Sequence, residues 1–174
     1  MINVKEFDHK LTMPKTGKLL GLSDYQEEII DHLMFDNQTI YYKARMGNST
    51  AVIYYLFLNM LLKKDFHAVY VAANEESLAK IKKDFELYLS YNLRYIEDRN
   101  YSEDDNLISI ETTGSDVLFI DSKRIEKHLE FDMPIKEFPK HCDKLMCENY
   151  VFPSWAEKEL EKTTGCIVQY LLEN

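Results

Sequence analysis

The chain has 174 residues, a length suited to one domain, and 45% of them are hydrophobic, enough for a sizeable core. Its net charge of -9 argues against a broad basic surface for nucleic acid, although it leaves room for a local patch. No charged-then-apolar leader opens the chain, no apolar run approaches the ~20 residues of a membrane span, and three cysteines, an odd number, suit a reducing compartment, so a soluble cytoplasmic protein is expected. Residues 1–21, with Pro14, Gly17 and Gly21, form an irregular N-terminal arm, and 22–174 make up the domain. Ser23 or Asp24 caps a helix that runs to about Phe35, with Ile29, Ile30, Leu33 and Met34 on one face. Thr39–Lys43 is a strand and Ser49–Lys64 a helix; His67–Ala73 is a near-continuous apolar run, as in a strand buried on both faces of a parallel sheet. Glu75–Ser90 is an amphipathic helix. Tyr91–Asn106 is a polar loop around a short strand at Leu93–Ile96, and its acidic run Glu97–Asp105 is a solvated face. Leu107–Glu111 and Asp116–Asp121 flank a turn and form a hairpin. Phe131–Phe138 holds another short strand interrupted by Pro134, Ser154–Lys162 is a helix, and Cys166–Leu172 is the final strand. Helices alternating with strands predict a three-layer α/β domain.

The segment Tyr42-Lys43-Ala44-Arg45-Met46-Gly47-Asn48-Ser49-Thr50 lies where the first predicted strand turns directly into a long apolar helix. In that geometry the free amides of the helix N-terminus face an anion. The standard phosphate loop reads G-x-x-x-x-G-K-[ST]. Here Tyr42 stands at the first glycine, Gly47 keeps the second, Asn48 stands at the lysine, and Ser49 keeps the hydroxyl. The competing reading is a turn followed by an N-cap, since Asn and Ser are ordinary cap residues.

Further motifs follow in order. Leu22-Ser23-Asp24-Tyr25-Gln26 resembles the helix-opening L-x-x-Y/F-Q, and Lys43-Ala44-Arg45 with Gly47 and Ser49-Thr50 resembles the deviant loop K/S-A/S-R-Q-x-G-x-S/T-T. Ala68–Asn74 matches the strand and loop after the first crossover helix, and Ile108–Glu111 with Gly114-Ser115 matches the hairpin I-x-L-x-N-G-S. Phe131-Asp132 with Ile135–Phe138 resembles F-D-x-x-x-x-D-E-F, while Trp155 and Cys166–Gln169 sit where a tryptophan-bearing helix and a coupling strand belong. In this order the motifs resemble the ATPase domain of the large terminase subunit, the DNA-packaging motor of tailed phages.

That resemblance implies a P-loop NTPase-like (RecA-like) domain with a mainly parallel sheet and a β-hairpin insertion, without the nuclease domain of a full terminase. It implies ATP and Mg²⁺ as ligands, and duplex DNA, a portal and other packaging subunits as partners, with homo-oligomerisation and no membrane. It assigns Gln26 to adenine, and Lys43, Arg45, Gly47, Asn48, Ser49 and Thr50 to the phosphates. Ser49 would also bind the metal, Glu137 would orient the attacking water, and Arg45 would neutralise phosphate charge. The chain departs from the pattern at Asn48, at Lys136, where an aspartate would bind the magnesium shell, and in the loop, which is one residue tighter around Arg45. Weak hydrolysis is expected, and a degenerate relative serving as a binding or regulatory module is the alternative. Asp121 is a rival metal carboxylate, and His141, Cys142 and Cys147 are a weak zinc set with no clear fourth ligand. A superfamily-2 helicase fragment is less favoured, for want of a D-E-x-H/D motif after a strand.

Overall fold

The computed structural model describes residues 21–35, 39–92, 101–104, 106–131, 133 and 138–174. In chain order the elements are α1 (Asp24–Phe35), β1 (Ile40–Tyr42), α2 (Asn48–Leu62), β2 (His67–Ala72), α3 (Glu75–Tyr91), β3 (Tyr101–Asp104), β4 (Leu107–Ile110), β5 (Ser115–Asp121), α4 (Ser122–Glu130), β6 (Lys144–Glu148), α5 (Ser154–Thr164) and β7 (Val168–Glu173). The strands form one sheet of seven in the order β1-β7-β6-β2-β5-β4-β3. Pairing is parallel from β1 to β5 and antiparallel through β4 and β3. The expected hairpin is thus the antiparallel margin of a mainly parallel sheet.

Side chains alternate across a strand, and the central strands use both faces. Ala68, Tyr70 and Ala72 of β2 join the core built with α1, α2 and α3, while Val69 and Val71 join the opposite core with α4 and α5. This produces the expected three layers. Helix α2 is buried from Ala51 through Met60, which explains why it is apolar all round instead of on one stripe. It lies between α1 and α3 and contacts β5 beneath.

The hairpin turn is tied to the α2–β2 connection. The Ser115 hydroxyl donates to the Lys63 carbonyl at 3.0 Å and accepts from the Phe66 amide at 3.1 Å. Gly114 has φ 69°, and a Cβ there would lie 2.6 Å from Asp65 Oδ1. The Gly-Ser pair is therefore a packing device.

The structure adds elements that the sequence pattern concealed. Strand β6 lies in a stretch to which the sequence pattern assigns no element, since Lys-Leu-Met-Cys-Glu has no β-branched residue. Its Lys144 is buried, with Nζ donating to the Leu33 carbonyl at 2.6 Å. Helix α4 follows β5 without a break, capped by Asp121, whose Oδ1 accepts from the Arg124 amide at 2.9 Å. Strand β3 stands where a solvated acidic loop was expected. The arm up to residue 20 and the strand expected at Leu93–Ile96 lie outside the described residues, as does most of the one at Phe131–Phe138.

Candidate functional site

In open α/β sheets ligands bind in the crevice beyond the carboxyl ends of the strands. A cavity of about 550 Å³ lies at this edge, lined by Ala44, Arg45 and Gly47 to Thr50 of the loop, by Glu148 at the end of β6 and Asn149 after it, by Glu173 on β7, and by Ser77, Lys80 and Asp84 of α3. The loop backbone is bent into the left-handed region twice, at Arg45 (φ 62°) and at Gly47 (φ 80°). Gly47 stands immediately before α2 with no side-chain cap, and helical hydrogen bonding starts where the Ala51 amide donates to the Gly47 carbonyl. The first amides of the helix are therefore left for a ligand.

Side chains from α1 fix both ends of the loop. The Tyr25 hydroxyl accepts from the Lys43 amide at 2.8 Å, and Gln26 Nε2 donates to the Gly47 carbonyl at 3.0 Å. Gln26 Oε1 meanwhile accepts from the amide and hydroxyl of Ser23. Within the loop Asn48 Nδ2 donates to the Lys43 carbonyl at 2.8 Å, so this side chain folds back onto the loop.

The opposite wall is a carboxylate held by phenols. Glu148 accepts from the Tyr42 hydroxyl at 3.2 Å and from the Tyr70 hydroxyl through a very short bond. Burial, reinforced by the Glu148 charge, holds both phenols above their usual range. They stay protonated and donate. Asn149, with φ 52°, is tied down by both ends of its amide, donating to the Tyr42 hydroxyl at 2.8 Å and accepting from the Glu173 amide at 2.9 Å.

No family model matches the sequence, and no curated protein matches it. Solved structures do match the chain. The crystal structure of the HK97 bacteriophage large terminase superposes with a TM-score of 0.71 at 11% identity, over 98% of this chain and 36% of that one. The ATPase domain of the Thermus phage P74-26 large terminase gives 0.56 at 11% identity, over 89% and 65%. The fold is that of a large-terminase ATPase domain. It is shared with the UvsW helicase from bacteriophage T4, which superposes at 0.62 and 11% identity over 98% of this chain and 58% of that one. At such identities the likeness is one of fold, and the chain spans only about a third of the HK97 protein's length.

Within this terminase-like domain, Arg45, Gly47, Asn48, Ser49 and Thr50 come together on the cavity. Lys43 and Gln26 do not line it. Gln26 latches the loop through the Gly47 carbonyl. Glu137 and Lys136 lie outside the described residues. Asp121 serves as a helix cap. Cys142 and Cys147 direct their thiols to the backbone carbonyls of Lys144 and Tyr150, and no metal-binding group of three or more His, Cys, Asp or Glu exists among the described residues. Among those residues, too, no helix is long and apolar enough to cross a membrane.

Sequence reasoning missed Ser77, Lys80, Asp84, Glu148, Asn149 and Glu173. A usable signal existed for Glu148, since an apolar trio, Leu145-Met146-Cys147, runs straight into a carboxylate. The α3 residues carry no such mark, because a lysine on an amphipathic helix resembles any solvated lysine.

Proposed function

We propose that this domain binds ATP with its phosphates at the N-terminus of α2 and serves in viral DNA packaging, with hydrolysis weak because the residue that follows the metal carboxylate Glu148 is the amide Asn149. One observation carries the reading: the loop amides, Arg45, Ser49 and Glu148 line a single cavity at the carboxyl ends of β1, β6 and β7. In P-loop enzymes the loop Ser/Thr and a carboxylate ending a neighbouring strand hold Mg²⁺. The donors fit such an ion. Ser49 supplies a hydroxyl, and a carboxylate has about four lone-pair sites, so Glu148 keeps acceptor capacity beyond its two tyrosine bonds. Mg²⁺ there would neutralise charge that develops on the phosphates. Arg45 answers the same charge from the loop, with a fork suited to phosphate oxygens.

Water activation sets the limit. The residue after Glu148 is Asn149, an amide already bonded at both ends, which holds no proton-accepting group for a nucleophile. The same observation supports the second reading, a nucleotide-binding or regulatory module that keeps the fold and loses turnover, which an absence of wild-type turnover would favour. Partners such as duplex DNA, a portal or further packaging subunits, and self-association, follow from the terminase likeness alone.

A steady-state phosphate-release assay tests the division between the two readings, run on wild type, Glu148→Gln and Glu137→Gln. The expected result is slow turnover in the wild type, lowered further by Glu148→Gln. Fast turnover abolished by Glu137→Gln alone would overturn the assignment of Glu148 and restore Glu137 as the residue that positions water.

A further inference from the structure

We infer that Lys80, reaching in from α3, is the cation for the terminal phosphate that the loop itself does not supply; this rests on the nucleotide reading above. Asn48 occupies the place of the usual loop lysine, and its amide nitrogen is engaged by the Lys43 carbonyl at 2.8 Å. It brings no charge to the cavity. The loop's own cation is Arg45, and among the described residues the cavity's other cation is Lys80, on the wall formed by α3.

Helix α3 is well placed to carry a fixed charge. Asn74 caps it, with its side chain accepting from the Ser77 amide at 2.9 Å. Ser77, Lys80, Ile81 and Asp84 then follow at the spacing of one helical face, and all of them line the cavity while Ile81 is buried in the core. The neighbouring Lys82 pairs with Glu86 at 3.6 Å, as an ordinary surface lysine does. Lys80 is exposed and forms no ion pair among the described residues, although Asp84 lies one turn away.

A second, independent observation lies on the loop wall. Asn48 lines the same cavity and is only 8% exposed, and its Oδ1 has no hydrogen-bond donor. A buried acceptor without a donor is costly, so a donor brought to this part of the loop wall is favoured. An ammonium carries three, enough to serve phosphate oxygens and this carbonyl together. The charge balance agrees. Among the described residues, Asp84, Glu148 and Glu173 outnumber Arg45 and Lys80 around the cavity, so each cation, like a bound metal, helps to offset the charge a polyphosphate would add.

Calorimetric titration of wild type, Lys80→Ala and Lys80→Arg with Mg-ATP and Mg-ADP tests the assignment. Loss of one charge-assisted contact should weaken ATP binding to Lys80→Ala about tenfold or more, with ADP changed less than about threefold, while Lys80→Arg stays within about threefold of wild type for both. Melting temperatures should agree, because the side chain is exposed. Equal losses for ATP and ADP, or no loss for either while wild type binds both, would overturn the role of Lys80 and leave the nucleotide reading standing. Failure of wild type to bind either nucleotide would overturn both.

Discussion

Gly47 is the residue on which the loop's shape turns. Its φ of 80° is one that L side chains rarely adopt, and a Cβ there would fall 2.4 Å from Gln26 Nε2. That nitrogen is the donor that holds the Gly47 carbonyl, so the added methyl and the latch compete for one space. Gly47→Ala should cost about 1–3 kcal/mol through backbone strain and a displaced Gln26. A urea titration of the two proteins measures this. Nucleotide affinity should fall further than stability, since the first amides of α2 would turn away from the cavity. Arg45 illustrates how partial the sequence signal was. The motif pattern picked it out as the cation to test, and it does line the cavity, but nothing in its neighbours foretold a left-handed conformation at φ 62°. Gln26 was legible as a special residue, but its hold on the loop was not, because a hydrogen bond spanning 21 positions to a backbone carbonyl leaves no trace in local pattern.

At the scale of elements, long or strongly patterned segments were readable. The boundaries of α2, β2 and α3 fall within two residues of expectation, because a fully apolar helix, an apolar strand and an amphipathic helix each carry a distinct period. Strand β6 was not readable. Its buried Lys144 donates to the Leu33 carbonyl and lies over the Tyr55 ring, tertiary contacts that override local propensity. The error mattered, since β6 delivers Glu148. The hairpin shows the reverse case, a motif read correctly whose visible work is structural. Ser115 is fully buried and satisfies two backbone groups of the α2–β2 turn. Ser115→Ala should therefore destabilise the domain by about 2–4 kcal/mol, since a buried amide and a carbonyl lose their partner. Thermal and chemical denaturation would register the loss, and a change below about 0.5 kcal/mol, as at an ordinary surface site, would show that water replaces the hydroxyl.

For the whole molecule, the alternation of helices and strands was enough to foresee three layers, and the ordered motifs were enough to foresee the terminase-like fold. The site was half visible. Its loop is contiguous in sequence and was found; its far wall is assembled from β6, β7 and α3, which meet only through the sheet order β1-β7-β6-β2. Contacts made by topology have no period and no spacing to betray them. Among the described residues, the resulting cavity joins helix amides, Arg45 and Lys80 to Asp84, Glu148 and Glu173, the combination on which the nucleotide proposal rests.

The central claim is that this cavity binds nucleotide, and titration of the wild-type chain with ATP, with and without Mg²⁺, tests it most directly. The account predicts saturable binding that Mg²⁺ strengthens and that Arg45→Ala weakens about tenfold or more, one charge-assisted contact being lost. An absence of binding under either condition, or binding that Arg45→Ala leaves unchanged, would contradict it.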